Sequence, residues 1–250
     1  MSGHSKWSQI KRQKGVNDVK RGAVFTKMGR EIAVAARAGG GDVDGNFRLR
    51  LAVEKARAAN MPLDTIKRAI DKATGGGEAD QWEEIVYEGY GPGGVAILVE
   101  AATDNRNRTA ADVRSMFTKA GGQLAGSGAV AWQFEPRGLI TVPRDWGTDP
   151  DEIALMAIDA GADDVDTAAD PLEIYTTPGS LEKLRRSLEE GGIKVESAEN
   201  AMIAKQTVEL DAGKARQALR LIELLEDLDD VQRVTANFEI PEEVFAEVAG

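Results

Sequence analysis

The chain has 250 residues, a formal net charge of −11, one histidine and no cysteine. The absence of cysteine excludes disulfides, thiolate catalysis and cysteine-based zinc sites. The single histidine, His4, lies in a polar segment, which argues against a buried catalytic triad that contains it. No apolar run approaches the roughly 20 residues of a membrane span, and the first residues lack the apolar core of a signal peptide. We therefore expect a soluble, cytoplasmic protein that is not an enzyme and needs no cofactor or metal.

Charge is strongly segregated along the chain. Residues 1–77 carry 16 Lys and Arg against 7 Asp and Glu, whereas residues 78–250 carry 15 against 35. A basic block attached to an acidic body is typical of a module that binds a polyanion, with nucleic acid the first candidate. The alternative is that the basic block docks on the acidic body of its own chain.

The basic block has the pattern of three helices preceded by a polar extension of 17 residues. A first helix is expected from Asp18 to about residue 38, with apolar residues on one face and cations on the other. Asn46 is placed to cap a second helix, and Pro62 suits the first turn of a third. Glycine triplets at 39–41 and 75–77 end the first and third helices. The inward-facing residues are predicted to be Val24, Met28, Ile32, Ala35, Leu49, Val53, Ala56, Leu63, Ile66 and Ile70.

The remainder predicts an α+β protein. Strands are expected at 84–90, 95–102 and 130–134, with a helix at 106–120. The segment 139–197 has the order βαββαβ of the ferredoxin-like split motif, and a strand, helix and strand within 207–238 are expected to complete the sheet begun at 84. The predicted fold is thus a multidomain α+β protein: an N-terminal three-helix domain followed by two ferredoxin-like α+β domains, one inserted in the other. The predicted domains are 1–77, 78–136 with 205–240, and 137–204.

Two patterns resemble functional motifs but have simpler interpretations. Gly89, Gly91 and Gly94 satisfy G-x-G-x-x-G, yet a strand follows where a dinucleotide site needs a helix, which favours a turn between strands. The acidic clusters at 163–166 and 227–230 could bind a hard cation, but solvated turns and helix ends explain them better.

The segment 103–109, Thr-Asp-Asn-Arg-Asn-Arg-Thr, lies where a strand passes into a helix. Asp104 or Asn105 can cap that helix, while the two arginines can grip phosphates or base edges. Trp7 has two interpretations as well, because it can stack on a base or anchor the extension. No base-reading helix-turn-helix or aromatic RNA-binding sheet motif is present, so binding to the nucleic-acid backbone is favoured. The candidate binding residues are Lys6, Trp7, Lys11, Arg12, Lys14, Lys20, Arg21, Lys27, Arg30, Arg37, Arg106 and Arg108.

Several long segments resemble the YebC family, which includes the mitochondrial translational activator of cytochrome c oxidase. They are residues 3–7, 20–27, 87–94, 103–109 and 225–231, and the resemblance extends from about residue 2 to 240. It implies a helical N-terminal domain, two α+β domains and no enzymatic activity. It also implies either DNA-binding regulation of transcription or, as in the mitochondrial relatives, a role in translation.

Three functions follow as hypotheses: a DNA-binding regulator of transcription, a translation factor that binds ribosomal RNA and relieves stalling at difficult peptide stretches, and a protein-binding adaptor. The low aromatic content and the cationic extension suit structured RNA, whereas the family description points to transcription. We expect a non-enzymatic, nucleic-acid-binding regulator of gene expression. Its expected partner is DNA or ribosomal RNA, with the ribosome as a further candidate, and we expect no membrane partner and a monomeric state.

Overall fold

The structure is a computed structural model that describes residues 18–75, 82–144, 147 and 149–249; for 18–21 and 248–249 it describes the backbone alone. The chain forms two compact units. Of the described residues, the first unit contains those from 18 to 132 and from 210 to 236, and the second contains those from 133 to 209 and from 237 to 249. The three-helix region and the first sheet thus belong to the same unit. Their division into separate domains, with the boundaries given above, remains a prediction.

The helices and strands follow one another in an α+β order. The helices are α1 Asp18–Gly39, α2 Phe47–Ala58, α3 Leu63–Thr74, α4 Arg106–Lys119, α5 Pro150–Asp159, α6 Leu181–Glu190, α7 Ala212–Glu226 and α8 Glu242–Ala249. The strands are β1 Glu83–Tyr90, β2 Ala96–Thr103, β3 Gln123–Leu124, β4 Phe134–Val142, β5 Asp164–Asp166, β6 Leu172–Thr176, β7 Ser197–Ala204, β8 Val208–Glu209, β9 Val231–Ala236 and β10 Phe238–Glu239. No helix within the described ranges is long and apolar enough to cross a membrane.

Helices α1, α2 and α3 share one apolar core. It contains Ile32 and Ala35 of α1, with Leu49 of α2 and Ile66 of α3, as the spacing predicts. Asn46 caps α2 through its Oδ1, which accepts from the backbone N–H of Leu49 at 3.1 Å. The same side chain donates to the carbonyls of residues 35 and 40, which fixes the end of α1 against the start of α2. The prediction of an inward-facing Leu63 is wrong. This first residue of α3 is 56% exposed, because it lies at the end of the helix and outside the core.

The first sheet has the strand order β3-β1-β2-β9, and all neighbours are antiparallel. Strand β9 completes this sheet as predicted, whereas β8 pairs with β10 in a separate parallel ladder. At the centre of this sheet β1 and β2 pair with each other as a hairpin. The strand order therefore differs from the ferredoxin-like order that the sequence predicts for this sheet. Gly89 lies on β1 where a Cβ would come within 2.5 Å of Phe117. After β1, Pro92–Gly94 form the turn between strands that the sequence predicts. The close approach of Phe117 of α4 to Gly89 was not predicted.

The segment 125–131 is held by one carboxylate of β1. Glu88 is buried, and its two oxygens accept from the backbone N–H groups of Gly128, Val130 and Ala131 at 2.6, 2.7 and 2.8 Å. The expected strand at 130–134 is wrong, because these bonds bend the chain into a turn before β4 begins at Phe134.

The second unit has the strand order β5-β6-β4-β7, all antiparallel. With α5 between β4 and β5, and α6 between β6 and β7, this is the ferredoxin-like arrangement that the sequence predicts. The last strand starts later than expected: residues 193–196 lack strand structure, and β7 begins at Ser197. Ile193 is nevertheless buried. The apolar character of this position therefore reflects packing in the core and not pairing with a neighbouring strand.

Candidate nucleic-acid interface

Asp230 is the centre of a buried polar network in the first unit. It lies between the end of α7 and the start of β9, and its side chain is 8% exposed. Its Oδ1 lies 3.1 Å from Arg30 Nη1 of α1, and its Oδ2 lies 2.9 Å from Arg108 Nη2 of α4. Thr109 donates to the same Oδ2 at 2.6 Å, and the hydroxyl of Thr103 lies 3.3 Å away. One carboxylate thus joins α1, β2 and α4.

The environment keeps Asp230 ionised. Burial by itself raises the pKa of this carboxyl, but the hydrogen bonds from Thr109 and Arg108 and the charges of Arg30 and Arg108 outweigh it, so that the pKa lies below its ordinary value. On the other side, hydrogen bonds to Asp230 and Asp104 raise the pKa of Arg108. The network is therefore charged over the whole physiological pH range.

Two cations of α1 also bind backbone carbonyls at the end of α7 and in the loop after it. The Lys27 ammonium donates to the carbonyl of Glu226, the last residue of α7, and the Arg30 guanidinium donates to the carbonyl of Asp229 in the loop. Carbonyls at a helix C-terminus lack intrahelical partners and carry partial negative charge, which favours the Lys27 ammonium beside Glu226. The charges of Arg30 and Arg108 are thus balanced by Asp230, and the Lys27 ammonium bonds a backbone carbonyl. For Lys27 and Arg30, these contacts correspond to the alternative in which the basic block docks on the acidic body of its own chain.

The other described candidates lie at the surface. Arg37 is exposed in the last turn of α1. Arg106, in the first turn of α4, is 69% exposed and lies 3.5 Å from Glu83 Oε2, a distance at which a solvated pair contributes little. Asn105 caps α4 by accepting from the N–H of Arg108 at 3.1 Å, so the capping interpretation of this segment is confirmed. Capping leaves the exposed Arg106 available for a contact.

Other candidates fall outside what the structure describes. Lys6, Trp7, Lys11, Arg12 and Lys14 lie outside the described residues. Lys20 and Arg21 are part of α1, and only their backbone is described. Their assignment to nucleic-acid binding stays a prediction.

Sequence reasoning missed Asp230. The cluster 227–230 was expected to be a solvated helix end, but Asp230 is buried because β9 pairs with β2 and brings it beside Thr103. The sequence does contain one indication of this contact. The polar segments 103–109 and 225–231 each border an apolar strand, and both strands belong to one sheet. Neither acidic cluster belongs to a group of three or more potential metal ligands within the described ranges.

Comparison with known proteins gives a consistent result over both units. Residues 5–76 match the family model described as the TACO1/YebC protein N-terminal domain, and residues 82–238 match the TACO1/YebC second and third domain. A protein of Rubrobacter xylanophilus named "probable transcriptional regulatory protein" is 56% identical over 251 residues, covering 100% of both chains. One of the same name from Roseiflexus castenholzii is 57% identical, covering 98% of this chain and 97% of its own.

A solved structure has the same fold. The crystal structure of a conserved hypothetical protein from Aquifex aeolicus superposes with a TM-score of 0.85 at 47% identity, covering 91% of this chain and 93% of its own. The family models, the relatives and this structure agree with the segments that resemble YebC. The chain therefore belongs to the TACO1/YebC family.

Proposed function

We propose that this protein is a non-enzymatic regulator of gene expression that binds nucleic acid through its basic helical region. The observation that carries the proposal is the charge segregation: 16 basic against 7 acidic residues in 1–77, on a body with 35 acidic residues. Electrostatic attraction to phosphate supplies most of non-specific nucleic-acid affinity, and a body of opposite sign restricts that attraction to one region.

The exposed cations of the helical region support this proposal. The internal network balances some of the charge, but Arg37, Arg57, Lys67, Arg68 and Lys72 are exposed on α1, α2 and α3. None of these lies on a strand or in the acidic body. A surface of this kind contacts phosphates and not base edges, so we expect affinity to fall steeply with salt and to vary little with sequence.

The level of regulation is proposed from the relatives. The names of the two bacterial relatives point to transcription. Ultraviolet crosslinking in cells, followed by sequencing of the attached nucleic acid, tests this directly. Reads at promoter DNA would support transcription, reads concentrated in ribosomal RNA would place the protein in translation, and the absence of crosslinked nucleic acid would refute binding of either kind.

A matched pair of substitutions tests the surface. Arg57→Glu changes an exposed residue of α2, and Arg220→Glu makes the same change of charge on an exposed residue of α7. We expect Arg57→Glu to weaken binding to labelled DNA or RNA and to lower the salt slope by roughly one, whereas Arg220→Glu leaves both nearly unchanged. Equal effects of the two substitutions would show that overall charge, and not the helical surface, controls binding.

A further inference from the structure

A groove between α1 and α3 combines small walls, cations and one aromatic ring. Its volume is about 230 Å³, and Ala33 of α1 and Ala69 of α3 form part of its apolar walls. That is smaller than the roughly 300–1,000 Å³ of small-molecule sites, which favours a single planar group over a whole cofactor.

The charges around the groove favour an anion. Arg30 and Arg37 of α1 and Lys72 of α3 line it, and none of the described residues that line it is acidic. Arg30 pairs with Asp230 inside the unit, and the side chains of Arg37 and Lys72 are exposed at the surface. The groove thus combines apolar walls with two cations at the surface.

The aromatic ring supplies a second kind of recognition. Trp82 lines the groove, and the guanidinium carbon of Arg30 lies 4.7 Å from the centroid of its ring. A cation held over the ring fixes the position of the indole. Aromatic rings beside cationic grooves bind unpaired bases by stacking while the cations bind the phosphates.

We propose that this groove binds one unpaired nucleotide of a single-stranded nucleic acid, with the base against Trp82 and the flanking phosphates near Arg37 and Lys72. The inference rests on the proposed function and gives the ligand its chemical class. Paired bases are stacked inside a duplex and cannot enter the groove. The groove would therefore make the protein bind single strands in preference to duplexes, a preference that the exposed cations alone do not provide.

The test measures the affinity of the full chain by fluorescence anisotropy. The probes are a labelled oligouridylate of roughly 12 nucleotides, within the usual size of single-strand sites, and a labelled DNA duplex of matched length. We expect Trp82→Ala to weaken oligouridylate binding about tenfold, equivalent to ~1.4 kcal/mol, and to leave duplex binding nearly unchanged. Trp82→Phe keeps a stacking ring and is expected to restore most of the loss. Trp132→Ala is the control, because Trp132 is 67% exposed in the same unit and does not line the groove.

A second pair keeps the inference falsifiable if Trp82→Ala fails to fold. Lys72→Glu and Lys67→Glu make the same change of charge on exposed residues of α3, but only Lys72 lines the groove. We expect Lys72→Glu to weaken oligouridylate binding severalfold more than Lys67→Glu. Equal losses in this pair, or unchanged binding by a folded Trp82→Ala protein, would overturn the groove while leaving the proposed function intact. Failure of the wild-type protein to bind either probe would refute the proposed function itself.

Discussion

Replacing Asp230 by Asn tests whether the buried network holds the first unit together. The substitution keeps the shape and one oxygen but removes the charge that faces Arg30 at 3.1 Å and Arg108 at 2.9 Å. Arg30 is 13% exposed and Asp230 is 8% exposed, so this pair is poorly solvated. Arg108 is 47% exposed, and water replaces much of its lost partner.

The expected loss follows from these exposures. Removing one partner of a fully buried pair costs about 3–5 kcal/mol, and a hydrogen bond to a charged group contributes about 1.5–3 kcal/mol. Because only the Arg30 side of the network approaches full burial, and Asn retains an acceptor for Thr109, we expect a loss of about 2–3 kcal/mol at neutral pH. Urea unfolding followed by circular dichroism measures it as a shift of the midpoint and of the extrapolated free energy of unfolding.

Asp104→Asn provides the matched control for this substitution. Asp104 lies 2.7 Å from the same Arg108, but its side chain is 35% exposed and has no contact with Arg30. Breaking a pair of this kind costs about 0.2–1 kcal/mol. If Asp230→Asn destabilises the protein no more than Asp104→Asn, the buried network does not stabilise the unit and the reasoning is wrong.

Three further substitutions test other contacts by the same urea assay. Glu88→Gln removes a carboxylate whose pKa is raised by burial but lowered further by three backbone hydrogen bonds, so that its net pKa is depressed. The stabilisation by the ionised carboxylate is therefore present above the unfolded pKa of about 4.3 and is lost as the pH falls. We expect the free energy of unfolding of Glu88→Gln to be about 2–3 kcal/mol below that of the wild type at pH 7. This difference should narrow near pH 3 and not widen. Gly89→Ala should cost about 1–3 kcal/mol because the new Cβ meets Phe117, while Gly126→Ala, with open space around it, should cost almost nothing; similar losses would contradict the close approach. Asn46→Ala should cost about 1–2 kcal/mol through loss of the cap, and an unchanged midpoint would show that the cap contributes nothing.

The periodicity of apolar residues was sufficient to predict those elements whose contacts are made between residues close in sequence. Helices α1 to α3 lie close to their predicted bounds, because their apolar faces and the cap at Asn46 are properties of neighbouring residues. The strand expected at 130–134 failed for the opposite reason. Its apolar residues resemble a strand, but Glu88, some 40 positions earlier, binds the backbone and bends it. A side chain that accepts from distant backbone N–H groups leaves no periodic pattern in the sequence.

The candidate interface was predictable in composition but not in arrangement. The excess of cations in 1–77 is visible in the sequence, whereas the partner of Arg30 lies about 200 positions away and becomes adjacent only because α1 packs against the sheet that contains β2 and β9. The place of Trp82 beside Arg37 and Lys72 depends on how α1 packs against α3, which charge counting does not reveal.

The cations of the helical region therefore fall into two groups with different roles. Arg30 belongs to the first group, because it binds Asp230 and at the same time lies over the ring of Trp82. A guanidinium held by both partners has lost its rotamer freedom, so the internal ion pair supports one wall of the groove instead of contributing charge to a ligand. Arg37 and Lys72 belong to the second group, since they line the groove and their side chains are exposed. Counterions are released when cations of the protein neutralise phosphates of the nucleic acid. The salt dependence of binding should accordingly reflect the number of exposed cations and not the total of 16 basic residues in 1–77.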